Sequence, residues 1–426
     1  MYDCNIKIFD NGLKVVAYKM PQMKSVALGL WLATGGRYES VSKRGISHFV
    51  EHLLFKGTEK RSATQIKNAI EGIGGVLNGF TSEEVTCYLV KVLGKHLTLG
   101  LDILSDMVLN AVFNPKDVER ERFVILEEVK MYKDQPDQYV HELLGELMWP
   151  RQTLGIPLVG THRTVTSLTR EDLVAYRDRT YTPAHITVVA CGDVDWERFV
   201  EECAVIFSAA KSGKVRHYKK MNVAQHRPKT NIFHKDTEQT HIAIGFHGIS
   251  RQHPSRYAMD LLNIVLGANM SSRLFHELRE KRGLAYAIGS HVNYYADGGV
   301  VSIDAGVDTR KISKAIRLIL KELSKIRRRP VTKSEFERAR EFYQGHLSFV
   351  LEDTVEHMLW LGKKVVTGDK PIDAEEVLQR VRDITIGDIL EMAKDIFRPK
   401  NLNVAIVGPV RDEDKKAIQQ IVQEFK

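Results

Sequence analysis

Two stretches of this chain recur at a fixed interval, and that recurrence constrains the fold more than any other feature. Ala27-Leu28-Gly29-Leu30 is matched by Ala243-Ile244-Gly245-Phe246, each in a strand-like apolar run. The run Tyr181 to Gly192 is matched at the same offset of 216 by Phe397 to Gly408, each with a Pro before a β-rich run closed by Gly. The helix-like stretch Val118 to Arg122 has its counterpart in Phe336 to Arg340, now at an offset of 218, as small insertions would produce. A repeat this long holds a full set of elements, so the chain reads as two copies of one unit. The expected division is residues 1–208, a basic linker over 209–230, and residues 231–426.

Inside each copy, alternating apolar runs such as Lys14 to Tyr18, Val26 to Thr34 and Val85 to Val92 are interleaved with stretches of helical period, Leu97 to Leu109 and Lys116 to Lys130. The expected class is α+β, a sheet covered by helices in each of two homologous units. The formal net charge is +8, and Lys211, Lys214, Arg216, Lys219, Lys220, Arg227, Lys229 and Lys235 account for all of it in one acid-free segment. That places the basicity in a solvated connection and argues against a nucleic-acid partner. The early acids of MYDCNIKIFDNGLKVV do not read as a signal peptide, and no run approaches the ~20 apolar residues of a membrane span, so a cytoplasmic protein is expected. Cys4, Cys87, Cys191 and Cys203 are scattered and read as buried, reduced thiols.

The chemistry concentrates in GISHFVEHLLFKGT, residues 45–58. Ser47 is a candidate N-cap and Gly57 a candidate stop, so a short helix is expected between them. On it His48 and His52 are four apart and share a face, a spacing from which two imidazoles can hold one zinc ion. Glu51, three residues after His48, can reach a water on that ion without being a ligand, the position a general base needs. A catalytic zinc needs a third protein ligand. The run VERERFVILEEVKMYKD offers Glu121 and Glu128, two turns apart on one face, with Glu127 pointing about 100° away. Such a pair suits one ligand and one carboxylate that orients a ligating histidine.

HFVEH followed by Glu128, within a two-copy layout, resembles the inverzincin or pitrilysin-type (M16) metallopeptidases and is similar to bacterial relatives of the mitochondrial processing peptidase beta subunit. The resemblance implies Zn2+ held by His48, His52 and Glu128, Glu51 as the base that activates water, and Glu121 as the supporting carboxylate. It implies a clamshell of two units around an extended peptide. Residues 74–90 resemble the family's edge strand, to which a peptide adds through backbone hydrogen bonds, with Asn78, Gly79 and Phe80 as the contacts. Gly79 stands where relatives often have Ala. RLFHELREKRGLAYAIGS resembles the segment whose Arg and Tyr reach the substrate, here Arg279 and Tyr286. At offset 216 His48, Glu51 and His52 fall on Ile264, Gly267 and Ala268, so the second copy is expected to lack a metal site.

The expected activity is zinc-dependent endopeptidase action on short or unfolded polypeptides, with a homodimer implied by the resemblance alone. The alternatives are a subunit of a hetero-oligomeric processing peptidase and a non-catalytic scaffold or peptide-binding relative. Retention of Arg279, Tyr286 and the metal ligands argues against both.

Overall fold

A computed structural model describes residues 4–210, 212–213, 217–369 and 373–426. The chain forms two compact units, each built on one sheet. In the first, β1 (Cys4–Ile8), β2 (Lys14–Lys19), β3 (Ser25–Leu32), β4 (Val76–Thr81), β5 (Thr86–Leu93) and β6 (Ile186–Gly192) lie in the order β1-β2-β6-β3-β5-β4. In the second, β7 (Lys229–His234), β8 (Thr240–Gly248), β9 (Ala285–Tyr294), β10 (Gly299–Val307) and β11 (Asn403–Gly408) lie in the order β7-β11-β8-β10-β9. Apart from β1, the two sheets correspond strand for strand. A parallel pair (β2 with β6, β7 with β11) is followed by three antiparallel neighbours in each.

The compact units are not contiguous in sequence. The first comprises residues 1–129, 157–219 and 348–373; the second comprises 130–156, 220–347 and 374–426. Helix Pro136–Met148 thus packs in the second unit and helix Thr354–Val366 in the first, and the two are equivalent at the offset of 218. The partition by repeat, 1–208 and 231–426, and the partition by compactness therefore differ by a reciprocal transfer of one helix.

This transfer explains why β3 reads as an almost unbroken apolar run. Successive side chains alternate between faces, and both faces are buried. Leu28 and Leu30 enter the core formed with the helices of residues 46–129, whereas Ala27 and Trp31 meet Met358, Leu361 and Val365 of helix Thr354–Val366. The approach is close, since a Cβ at Gly29 would lie 2.5 Å from Met358 Sδ and 2.9 Å from Trp31 Nε1 and would push these side chains aside. The equivalent Gly245 on β8 admits helix Pro136–Met148, where a Cβ would lie 2.7 Å from Met148 Sδ. The glycines shared by the two repeat segments mark where the transferred helices seat.

In the basic segment, residues 211 and 214–216 lie outside the described residues. Residues 217–228 have no strand or helix but are held in place: the Met221 N–H donates to Asp297 Oδ2 at 2.9 Å, and Gln225 Nε2 donates to the Leu402 carbonyl at 3.1 Å. Cys87, Cys191 and Cys203 are buried free thiols, and Cys4 is half-buried. No helix among the described residues is long and apolar enough to cross a membrane.

Candidate metal centre

The helix that carries both histidines runs from Ile46 to Leu54 and buries Ile46, Phe49, Val50, Leu53 and Leu54. It is not capped by Ser47, contrary to the sequence expectation. Gly45 is the N-cap, with φ 96°, and a Cβ there would lie 2.7 Å from the Val159 carbonyl oxygen. Ser47 instead shares a hydroxyl hydrogen bond with Tyr176. The first N–H groups of the helix are taken by Glu39, whose carboxylate accepts from Gly45 N at 2.9 Å and from Ser47 N at 2.7 Å. A carboxylate at a helix N-terminus satisfies orphan donors and complements the helix dipole. Glu39 is itself buried and leans on Arg44, whose guanidinium has no exposed side-chain surface and donates to Glu83 Oε1 at 2.7 Å. Arg37 pairs with Glu84 at 2.6 Å beside it. Gly36 leaves room for this guanidinium; a Cβ there would collide with Arg44 Nη1.

Helix Pro115–Asp134 brings Glu121 and Glu128 to the histidine helix. Glu128 Oε2 lies 3.7 Å from His48 Nε2 and 3.7 Å from His52 Nε2, and one donor atom from each of the three residues falls within 4.8 Å of the others. Two donors on a tetrahedral zinc at ~2.0–2.1 Å stand about 3.4 Å apart, so the two 3.7 Å separations are close to what such an ion requires. His52 Nδ1 sits 3.2 Å from Glu121 Oε2, which leaves Nε2 to face Glu128. Lys56 Nζ lies 2.7 Å from Glu121 Oε1. Burial alone would raise the Glu121 carboxyl, but the hydrogen bonds of His52 and Lys56 outweigh it and hold the group below its ordinary value. His48 is driven down to about 3 by burial and by His52, so its imidazole is neutral near pH 7 and has a lone pair to offer. Glu51 is raised above the ordinary carboxylate value, mainly by burial, against the pull of a hydrogen bond from Thr81 and the charge of His52. The Thr81 hydroxyl donates to Glu51 Oε2 at 2.6 Å.

The remaining sequence candidates lie elsewhere in the fold. Asn78, Gly79 and Phe80 are on β4, the outermost strand of the first sheet. The Gly79 N–H is taken by Asn78 Oδ1 at 2.8 Å. A Cβ at Gly79 would lie 3.0 Å from Phe55 Cζ and 3.1 Å from Tyr88 Cδ1, so a side chain there would require one of these rings to give way by a few tenths of an ångström. Phe80 stacks edge-on against Trp31, with ring centroids 5.7 Å apart, and is committed to packing. Arg279 and Tyr286 belong to the second unit. Arg279 is in a π-helical turn, Phe275–Glu280, with its guanidinium 4.9 Å from the Phe275 ring and 5.1 Å from the Tyr286 ring. Both line a cavity of about 790 Å³ that also includes Gln239, Asp308 and Arg310.

Among the described residues, His48, His52 and Glu128 are the one group placed to hold a metal ion. Offset 216 misassigns their counterparts in the second copy. Helix Arg256–Leu266 repeats the buried pattern of helix Ile46–Leu54 at offset 212, with Leu261, Leu262, Val265 and Leu266 standing for Phe49, Val50, Leu53 and Leu54. The counterparts of His48, Glu51 and His52 are therefore Asp260, Asn263 and Ile264. Thr81, Lys56 and Glu39 were not singled out from the sequence. Thr81 ends β4 and Lys56 follows the histidine helix, but neither spacing specifies a partner.

Residues 14–162 match the family model described as Insulinase (Peptidase family M16), and residues 167–343 match that described as Peptidase M16 inactive domain. The chain is 34% identical over 421 residues to an uncharacterized zinc protease of Streptomyces coelicolor, covering 96% of this chain and 91% of the relative. It is also 34% identical over 400 residues to the uncharacterized zinc protease YmxG of Bacillus subtilis, covering 94% of this chain and 97% of the relative. A solved protease from Helicobacter pylori superposes with a TM-score of 0.89 at 22% identity, over 96% of this chain and 100% of that one, and shows the same fold. These matches, spanning both sheets and the histidine helix, make the chain a member of peptidase family M16.

Proposed function

We propose that the chain is a zinc-dependent endopeptidase acting on short or unfolded polypeptides. The observation that carries this reading is the convergence of His48, His52 and Glu128 donor atoms within 4.8 Å, with Glu51 beside them on the same helix. Zinc held there would supply a Lewis acid for the scissile carbonyl and lower the pKa of water. Glu51 takes a proton from the attacking water and delivers it to the leaving amine nitrogen as the peptide bond breaks. Glu121 fixes the His52 ring through Nδ1, and Lys56 balances the charge of Glu121.

The unpaired side of β4 is suited to an extended peptide, which would add as a further strand and displace the Asn78 side chain from the Gly79 N–H. Arg279 and Tyr286 are assigned to peptide carbonyl oxygens, on the resemblance and on the exposure of Tyr286. The fuller form of the proposal is a cytoplasmic homodimer, resting on the resemblance for its assembly.

The test is hydrolysis of a quenched, unstructured peptide by the purified chain. Cleavage should disappear on chelation and return with added zinc; cleavage that survives a verified loss of metal would sink the reading. Glu128→Gln is expected to weaken zinc binding by roughly tenfold or more, read by equilibrium dialysis, because the ligand loses its charge. An unchanged affinity would transfer the ligand role to Glu127.

A further inference from the structure

We propose that Thr81 is a positioning residue for Glu51, tying the orientation of the base to the strand that takes the peptide; this rests on the peptidase reading above. Thr81 is the last residue of β4, paired across to Thr86, and its hydroxyl donates to Glu51 Oε2 at 2.6 Å. Glu51 is only half-buried, so its carboxylate would otherwise sample several rotamers. A single short hydrogen bond to a charged acceptor selects one of them.

Both ends of this hydrogen bond are anchored by one buried network. Glu39 holds the start of the histidine helix through Gly45 and Ser47. Arg44 joins Glu39 to Glu83, and Arg37 holds Glu84, in the turn that directly follows Thr81. The helix that carries the base and the strand end that carries its partner are thus fixed to the same charges. A shift of β4 would be felt at Glu51 through Thr81.

The second unit offers a structural comparison. Register traced through β5 and β3, and through β10 and β8, makes Tyr294 the counterpart of Thr81. The Tyr294 hydroxyl donates to Asp260 Oδ1 at 2.6 Å. A hydroxyl at the strand end meets a helix carboxylate in both units, but Asp260 stands at the place of His48 and not of Glu51, and among the described residues no group placed to hold a metal ion adjoins it. The test must therefore separate orientation of a base from simple bracing.

The full-length chain, zinc-loaded, would be compared as wild type, Thr81→Val and Thr81→Ser for kcat, KM, metal content and melting temperature. Thr81→Val is expected to lower kcat roughly tenfold, the scale of a misoriented catalytic group. KM should stay within about twofold, because the lost interaction serves the reaction and not peptide binding. Metal content and melting temperature should match the wild type, and Thr81→Ser, which keeps the hydroxyl, should recover most of the rate. A crystal structure of Thr81→Val should show the Glu51 carboxylate in a different rotamer. An unchanged kcat in an active protein overturns this inference alone. So does a loss that follows metal content or melting temperature, or one that serine fails to restore. A wild-type chain that cleaves nothing in the presence of bound zinc overturns the peptidase reading and this inference with it.

Discussion

Glu51→Gln is expected to reduce peptide turnover by about 10²- to 10⁴-fold, the usual contribution of a positioned general base. That corresponds to roughly 3–5 kcal/mol of barrier at 1.36 kcal/mol per tenfold. The substitution is nearly isosteric and leaves an amide oxygen to accept from Thr81, so the helix and the His48, His52 and Glu128 donors should keep their places. Zinc content should equal that of the wild type. The contrast with Glu128→Gln is the informative part, since one variant loses proton transfer with its metal retained and the other loses the metal. If Glu51→Gln turned over peptide at the wild-type rate, Glu51 would not be the base.

Arg44→Met should be the most destabilising single change near the site. Its guanidinium is fully buried between Glu39 and Glu83, and the Glu39 carboxylate is fully buried as well. Burial already pushes Glu39 upward, with Arg44 the chief opposing influence. Removing one member of a buried ion pair typically costs about 3–5 kcal/mol, because the other charge is left without its partner. The measurement is the urea midpoint of unfolding of wild type and variant. A double variant with Glu39→Gln should recover part of the loss, since the buried charge goes while an acceptor for a helix N–H remains. A cost below about 1 kcal/mol for Arg44→Met would place this network in the range of surface pairs and remove its claim to anchor the helix.

The parts of the site that sequence reading reached are those set by local spacing. Histidines four apart on one helix, and carboxylates seven apart on another, come to one face whatever the rest of the fold does. The parts it missed are set by contacts between distant segments. Glu39, Arg44, Glu83 and Glu84 look like ordinary solvated charges until the loop of residues 33–45 folds them against the turn at 82–84. The misplaced counterparts in the second copy have the same origin. The connection from strand to helix is shorter there, which moves the offset from 216 to 212, and the residues absent from it come from the region that supplies the first copy's buried charges. Helix transfer was also illegible, because an amphipathic helix carries no mark of which of two similar sheets it will cover.

That transfer bears on what the second half of the sequence, where no group placed to hold a metal ion occurs among the described residues, contributes to the first sheet. The first sheet buries Val16, Ala27, Trp31 and Val189 beneath Met358, Leu361 and Val365, all supplied from the far half of the sequence. The second sheet is indebted in the same way to Val140, Leu144 and Met148. Loss of helix Thr354–Val366 would strip one face of the sheet that supports the histidine helix and expose Trp31 to water. A disruptive substitution in helix Thr354–Val366, more than 200 positions from His48, His52 and Glu128 in the sequence, would therefore reach the sheet that supports the histidine helix. The two copies can diverge in chemistry but not part company.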